Sequence, residues 1–276
     1  FVTCPLVFPY KCARKFSLLN YTLAKKIKSA EQIDGIRKSS QLAAKTLKYL
    51  EQFVVPGNTT QYLHERALEF INDHGAKSAT LGYKGFTGAI CTSPNDVVCH
   101  GVPGKYELKE GDILNIDVTT ILNKYFGDTC KMYPVGEISE EAKSLLEHTK
   151  KCLSIGMKQC FPGNRFGNIG FHIKEYAQEK GLGVVYEFCG HGVGLRFHEQ
   201  PEVPHTADKN TGKRMRPGMT FTIEPMINLG KARCKIDPSD GWTARTIDSQ
   251  LSAQYEHTIL ITETGHEALT DLYGEF

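Results

Sequence analysis

At 276 residues the chain can form one large domain or two small ones, and its 40% hydrophobic content allows an ordinary buried core. A formal charge of +2 without a basic cluster gives no sign of direct nucleic-acid binding, and no apolar run approaches the length of a membrane span. Nine cysteines, scattered and without a Cys-x-x-Cys pair, point to reduced thiols in an intracellular protein and away from a disulfide framework or a zinc finger.

The N-terminus differs from the rest. Lys11, Arg14, Lys15, Lys25, Lys26 and Lys28 occur there with no acidic residue, and the first residue is Phe1, not Met. This reads as a fragment or a processed product. Its basic leader is either a transit-peptide remnant, which would place the protein in an organelle, or a plain basic tail on a cytoplasmic protein. Residues 1–28 are therefore expected to be an extension and residues 29–276 the folded domain.

Ser29 and Gln32 form a capping-box pattern. From there Ile33, Ile36, Ser40, Ala43, Ala44, Leu47 and Leu50 recur at helical spacing to about Phe53, where Pro56-Gly57 stops the helix. Thr59 or Thr60 opens a second helix, with Leu63, Ala67, Phe70 and Ile71 on one face, that ends at Gly75. Two short strands are expected at 89–93 and 96–100, around Pro94-Asn95.

A longer strand follows. Leu114, Ile116, Val118 and Leu122 alternate on one face, and Asn115, Asp117 and Thr119 on the other. Asn123-Lys124 suits a two-residue turn into a second strand through Asp128. That loop length sets residue 119 opposite residue 128. Asp117 and Asp128 then share a face as diagonal neighbours, roughly 7–8 Å apart at the backbone. Two carboxylates so placed repel unless a cation sits between them. The alternative is that both cap turns at strand ends.

The pattern then restarts. Ser139 opens a helix with Leu145, Leu146, Thr149, Cys152 and Leu153 on its buried side, and a second helix runs to Gly181. Pro162 lies 106 residues after Pro56, and Gly181 lies 106 after Gly75. Asp117 follows Gly75 by 42 residues and Glu224 follows Gly181 by 43. The two halves thus read as one helix-helix-strands unit used twice. Packed face to face, they would bring Asp117 and Glu224 to a pseudo-twofold axis, with helices outside a curved antiparallel sheet in an α+β architecture.

Glu224 ends a strand, Met219–Pro225, on the face of Thr220 and Thr222. His191 lies between Gly190 and Gly192, where backbone and ligand can approach closely. A single strand over residues 252–260 would place Glu256 beside Gln254 and Thr258.

The segments Asn115-Ile116-Asp117-Val118, Gly127-Asp128-Thr129, Gly190-His191-Gly192-Val193-Gly194, Thr222-Ile223-Glu224-Pro225 and Gln254-Tyr255-Glu256-His257 resemble the five metal-ligand motifs of the type I methionine aminopeptidases. Cys99-His100-Gly101-Val102-Pro103 and Asp240-Gly241-Trp242-Thr243 resemble that family as well. The resemblance covers roughly residues 27–270 and implies its pseudo-symmetric α+β "pita-bread" fold. It also implies two divalent ions (manganese, iron, cobalt or zinc) held by Asp117, Asp128, His191, Glu224 and Glu256, with Asp128 and Glu256 bridging. An oxygen-rich set with one nitrogen and no thiolate suits such ions.

By the same resemblance Glu224 carries protons, His198 stabilises the oxyanion and His100 bonds the scissile amide. Tyr83, Phe86, Cys91, Phe197 and Trp242 would form a methionine pocket. A monovalent cation is implied near Asn115, Val118 and Ser252. The implied activity removes the first methionine from nascent polypeptide N-termini with a small second residue, as they leave the ribosome. A monomer without membrane attachment is expected. Lys84 stands where the family commonly has His, and Leu195-Arg196 departs from the family's glycine-rich spacing. Two other readings are an X-Pro peptidase of the same fold, which usually carries a long extra N-terminal domain, and a metal-free peptide-binding module, which should lack some of the ligands.

Overall fold

The computed structural model describes residues 27–272 and residue 274, so the basic leader up to residue 26 lies outside the described residues. The first half contains α1 (Ala30–Leu50), α2 (Thr60–Asp73), β1 (Lys77–Ser78), β2 (Cys91–Pro94), β3 (Val97–Cys99), β4 (Ile113–Leu122) and β5 (Tyr125–Pro134). The second contains α3 (Glu140–Met157), α4 (Phe166–Glu179), β6 (Gly183–Val184), β7 (Gly190–Gly192), β8 (Glu199–Val203), β9 (Thr220–Ile223) and β10 (Met226–Asn228). It continues through β11 (Cys234–Ile236), β12 (Ala244–Thr246), β13 (Ser252–Gln254), β14 (His257–Ile261) and β15 (His266–Ala268). Helices α2 and α4 are both 14 residues long, and the second starts and stops 106 residues after the first. The repeat expected from the sequence is therefore present at the level of whole elements.

Helix starts follow local chemistry. Ser29 and Gln32 close the capping box reciprocally, and the Thr59 and Ser139 hydroxyls accept N–H groups from the first turns of α2 and α3. Strands β4 and β5 pair over their whole length, from Ile113 opposite Pro134 to Leu122 opposite Tyr125. Asn123 and Lys124 both take positive φ, 49° and 69°, as the tight hairpin turn requires. Thr119 faces Asp128, the register read from the sequence.

Every strand pairing among the described residues is antiparallel. The other edge of β4 carries β1 and β2. A five-stranded sheet runs β15-β14-β9-β7-β8, and two three-stranded sheets run β13-β10-β6 and β11-β12-β3. Each half has its own core. Leu47, Leu63 and Ile71 of α1 and α2 pack on Leu114, Ile116 and Val118. Leu145, Leu153, Ile169 and Ile173 of α3 and α4 pack on Phe221, Ile223 and Ile259. Burying side chains of this size stabilises by about 1.5–3 kcal/mol each before chain entropy is counted. Strand alternation then turns Asn115, Asp117 and Thr119 in one half, and Thr222 in the other, away from the helices. Gly127 makes the contact of α1 with β5 possible: a Cβ there would run into the backbone of Ser39 and Ser40.

One expectation needs correction. Residues 252–260 are not one strand. β13 pairs with β10 and β14 pairs with β9, with Tyr255-Glu256 between them. The partner strand breaks at the same level: Ile223 faces His257 and Met226 faces Gln254, leaving Glu224-Pro225 opposite Tyr255-Glu256. Pro225 has no N–H to give a ladder, so pairing lapses there. Both interruptions carry a carboxylate.

Candidate metal centre and substrate cavity

These breaks open onto a cavity of about 670 Å³. Asp117, Asp128, His191, Glu224 and Glu256 line it, with His100, His198, Tyr83, Phe86, Cys91, Phe197 and Trp242. The hairpin supplies the two Asp residues, β7 supplies His191, and the two strand breaks supply Glu224 and Glu256. Ligand atoms of Asp128, His191 and Glu256 all lie within 4.8 Å of one another. Asn115, Val118 and Ser252 are not among the residues that line the cavity. Asn115 Oδ1 and Ser252 Oγ are buried and unpartnered, whereas the Val118 side chain belongs to the apolar core of the first half.

Two of the carboxylates, Asp128 and Glu224, are aimed by neighbours. The Thr119 hydroxyl donates to Asp128 Oδ1 at 2.7 Å, across the register pair fixed by the hairpin. The Thr222 hydroxyl donates to Glu224 Oε1 at 2.7 Å, and Gln254 Nε2 donates to Oε2 at 3.2 Å. Asp117 Oδ1 is buried without a hydrogen-bond partner. His191 Nδ1 lies 3.0 Å from the Gly192 carbonyl. A carbonyl can only accept, so Nδ1 carries the proton and Nε2 presents a bare lone pair to the carboxylates. Nε2 stands 3.6 Å from Asp128 Oδ2 and 3.7 Å from Glu224 Oε1, beyond hydrogen-bond length and converging on a common point. Among the described residues, His191 is the only basic side chain that approaches any of the four carboxylates as an ion pair.

The electrostatics match a site built for cations. Burial raises Asp117 well above the usual carboxylate range, and the charges of Asp128 and Glu224 add to it. Burial likewise raises Glu256, reinforced by Asp128, Glu224 and Asp117. It carries Asp128 to about 7 against the Thr119 hydrogen bond, and Glu224 to about 8 against that of Thr222. Burial lowers His191 and His100 to about 4, keeping both neutral. Two buried carboxylates, two half-buried ones and a neutral imidazole fit divalent ions, which would offset this repulsion.

A pH prediction follows for protein stripped of metal. Unfolded carboxylates titrate near 3.8 and 4.5, whereas folded Asp128 and Glu224 hold their protons to about 7 and 8. Between pH 6.5 and 8 the folded state therefore binds more protons than the unfolded one, and stability falls as pH rises. The depressed histidines act in the opposite sense as their unfolded counterparts lose protons around pH 6.5, a contribution that fades above about pH 7 and is outweighed by the four raised carboxylates. Thermal melts of stripped protein should show a lower Tm at pH 8 than at pH 6.5, and added Mn²⁺ should raise Tm more at pH 8. A Tm of stripped protein that climbs over this interval would contradict the cluster's electrostatics.

Beside the carboxylates the cavity is apolar. Phe86, Cys91 and Trp242 form a buried cluster flanked by Tyr83 and Val102. Phe86 and Trp242 meet edge to face at 5.2 Å, and Tyr83 and Phe197 lie 4.9 Å apart. Asp240 fixes Trp242 by accepting the backbone N–H groups of Trp242 and Thr243. His100 sits at φ 57°, a left-handed conformation that costs a non-glycine residue about 1–3 kcal/mol and is concentrated at functional sites. His198 packs 4.2 Å from the His191 ring and 5.4 Å from Tyr83.

Sequence reasoning missed several supporting groups. Alternation set Thr222 with Glu224 and Gln254 with Glu256 but gave neither a role; in the structure both donate to the Glu224 carboxylate. Lys28, placed above in the extension, is buried and paired with Glu199 at 2.7 Å, directly after His198. His205, whose Nε2 accepts the Glu224 backbone N–H at 3.1 Å, carried no signal beyond a solitary histidine.

The sequence pattern of metallopeptidase family M24 matches residues 34–263. The chain belongs to metallopeptidase family M24. Within it, the chain is 47% identical over 248 residues to "Methionine aminopeptidase B" of Synechocystis, covering 88% of this chain and 90% of that protein. It is 46% identical over 250 residues to "Methionine aminopeptidase" of Salmonella typhimurium, covering 90% and 94%. The crystal structure of methionine aminopeptidase from Rickettsia prowazekii superposes with a TM-score of 0.87 at 42% identity, covering 88% of this chain and 98% of that one. Prolidase from Pyrococcus furiosus, at 21% identity and TM-score 0.72, shares the fold over 90% of this chain and 66% of its own.

Proposed function

We propose that this chain is a dinuclear-metal aminopeptidase that removes methionine from the N-termini of nascent proteins and peptides. The observation that carries the reading is the convergence of Asp128, His191 and Glu256, with Asp117 and Glu224 beside them, at one end of a cavity walled by Tyr83, Phe86, Cys91, Phe197 and Trp242. Asp128 and Glu256 would bridge two ions, Asp117 would complete one, and His191 and Glu224 the other. Manganese, iron, cobalt and zinc all suit this donor set. Bound there, divalent ions supply Lewis-acid polarisation of the peptide carbonyl and an activated water.

The protein's own groups do the rest. Glu224, oriented by Thr222 and Gln254, takes a proton during attack and returns it to the leaving amine. His198 and His100, both half-buried and neutral, line the same cavity; His198 donates to the oxyanion and His100 bonds the scissile amide. The aromatic and sulfur wall takes the unbranched thioether. A monovalent cation near Asn115 and Ser252 would satisfy their orphan oxygens, and Val118 could join it only through its backbone.

The test is a tetrapeptide panel varied at positions one and two and read by mass spectrometry. Met-Gly, Met-Ala and Met-Ser peptides should lose Met, Met-Lys peptides should resist, and acetylated Met-Ala peptides should stay intact. Release of Ala from Ala-Pro peptides, with none of Met from Met-Ala, would identify an X-Pro peptidase instead.

A further inference from the structure

We propose that His205 is a positioning residue that sets Glu224 by holding its main chain. The inference rests on the reading of Glu224 as proton carrier and metal ligand. Glu224 lies at the break between β9 and β10, ahead of Pro225, so its backbone N–H falls outside the ladder. That N–H donates instead to His205 Nε2 at 3.1 Å. An imidazole accepts only through a bare nitrogen, so His205 is neutral with its proton on Nδ1.

The ring is 1% exposed, and Nδ1 is buried with no hydrogen-bond partner. A buried donor left unpaired is costly, and an apolar side chain of similar size would fill the space without that cost. The feature that an apolar residue could not reproduce is the acceptor for the Glu224 N–H.

The surroundings hold the backbone that carries the ring. Gly170 of α4 packs against the loop at residues 204–206, where a Cβ would strike the backbone of Pro204 and His205. The same segment runs back through β8, where Glu202 pairs with His191, to His198. A single stretch of chain therefore sets His198, braces His191 and holds Glu224. Thr222 and Gln254 fix the carboxylate of Glu224, and His205 fixes the backbone from which it projects.

The test compares His205→Leu, which keeps the bulk without an acceptor, with His205→Gln, whose side-chain oxygen can take the N–H. Both are made in the full chain. They are measured for kcat and KM on a Met-Ala peptide, and for the visible absorption of Co²⁺ bound without substrate. His205→Leu should lower kcat about 10–100-fold, the usual cost of losing a group that orients a ligand, with little change in KM. It should also alter the Co²⁺ spectrum. His205→Gln should recover most of kcat and the wild-type spectrum. Wild-type kcat and spectrum in His205→Leu would overturn the proposal, as would equal loss in both variants at equal Tm. If His205→Leu does not fold, His205→Gln decides alone: near-wild-type kcat and spectrum support the role, and a loss of about 10-fold or more with intact folding overturns it. Glu224→Gln separates the two levels of inference. A fully active Glu224→Gln protein removes the underlying reading, whereas an inactive one beside an unaffected His205→Leu removes only the role of His205.

Discussion

Asp128→Asn is expected to abolish turnover and to reduce bound metal. Asp128 is 3% exposed, is held by Thr119 from the opposite strand, and lies within ligand distance of both His191 and Glu256. Losing a group that merely orients a ligand costs about 10–100-fold, so losing a carboxylate proposed to serve both ions should cost more than about 100-fold. The same substitution should have the opposite effect on the stripped protein. Asp128 raises the pKa of Asp117, Glu224 and Glu256 through its charge, so neutralising it relieves repulsion among the clustered acids. At pH 8, stripped Asp128→Asn should therefore melt above stripped wild type, while with Mn²⁺ the order should reverse. This crossing is the signature of a site that gives up stability for function. A well-folded Asp128→Asn protein with near-normal turnover would show that the site has been misassigned.

Glu224→Gln should lower kcat by about 10²–10⁴-fold, the range for lost acid-base catalysis, and by more if an ion is also lost. Glutamine keeps the size of the side chain but cannot take up and return a proton. Its carbonyl can still accept from Thr222, but its amide nitrogen would then face the Gln254 amide, so the second hydrogen bond is lost. Metal content separates the two contributions. A variant that retains wild-type metal yet loses turnover has lost the proton carrier. Wild-type kcat in Glu224→Gln would remove Glu224 from both roles.

Much of this arrangement was legible in the chain, for identifiable reasons. The alternation of Leu114, Ile116 and Val118, with a turn that accepts two positive-φ residues, leaves the hairpin one register, and that register places Thr119 against Asp128. The 106-residue displacement of Pro-Gly and Gly signals marked the repeat before any packing was known. The ladder break at Glu224-Pro225 and Tyr255-Glu256 was half legible. Pro225 marks one side, but alternation from Ser252 to Leu260 runs through the other without a signal. The break depends on two strands failing together, which neither strand encodes alone. His205 was invisible because its role is a hydrogen bond to a backbone 19 residues away, through a loop seated on Gly170. The buried pair of Lys28 with Glu199 was hidden for the same reason, since sequence distance says nothing of which loop a lysine reaches.

The central claim is that Asp117, Asp128, His191, Glu224 and Glu256 together hold two divalent ions. Anomalous scattering from crystals of the wild-type protein grown with Mn²⁺ tests it most directly. Two manganese peaks are expected in the cavity, both in contact with Asp128 and Glu256, one with Asp117, and the other with His191 and Glu224. A cavity without peaks at saturating Mn²⁺, or manganese bound away from Asp128 and Glu256, would contradict it.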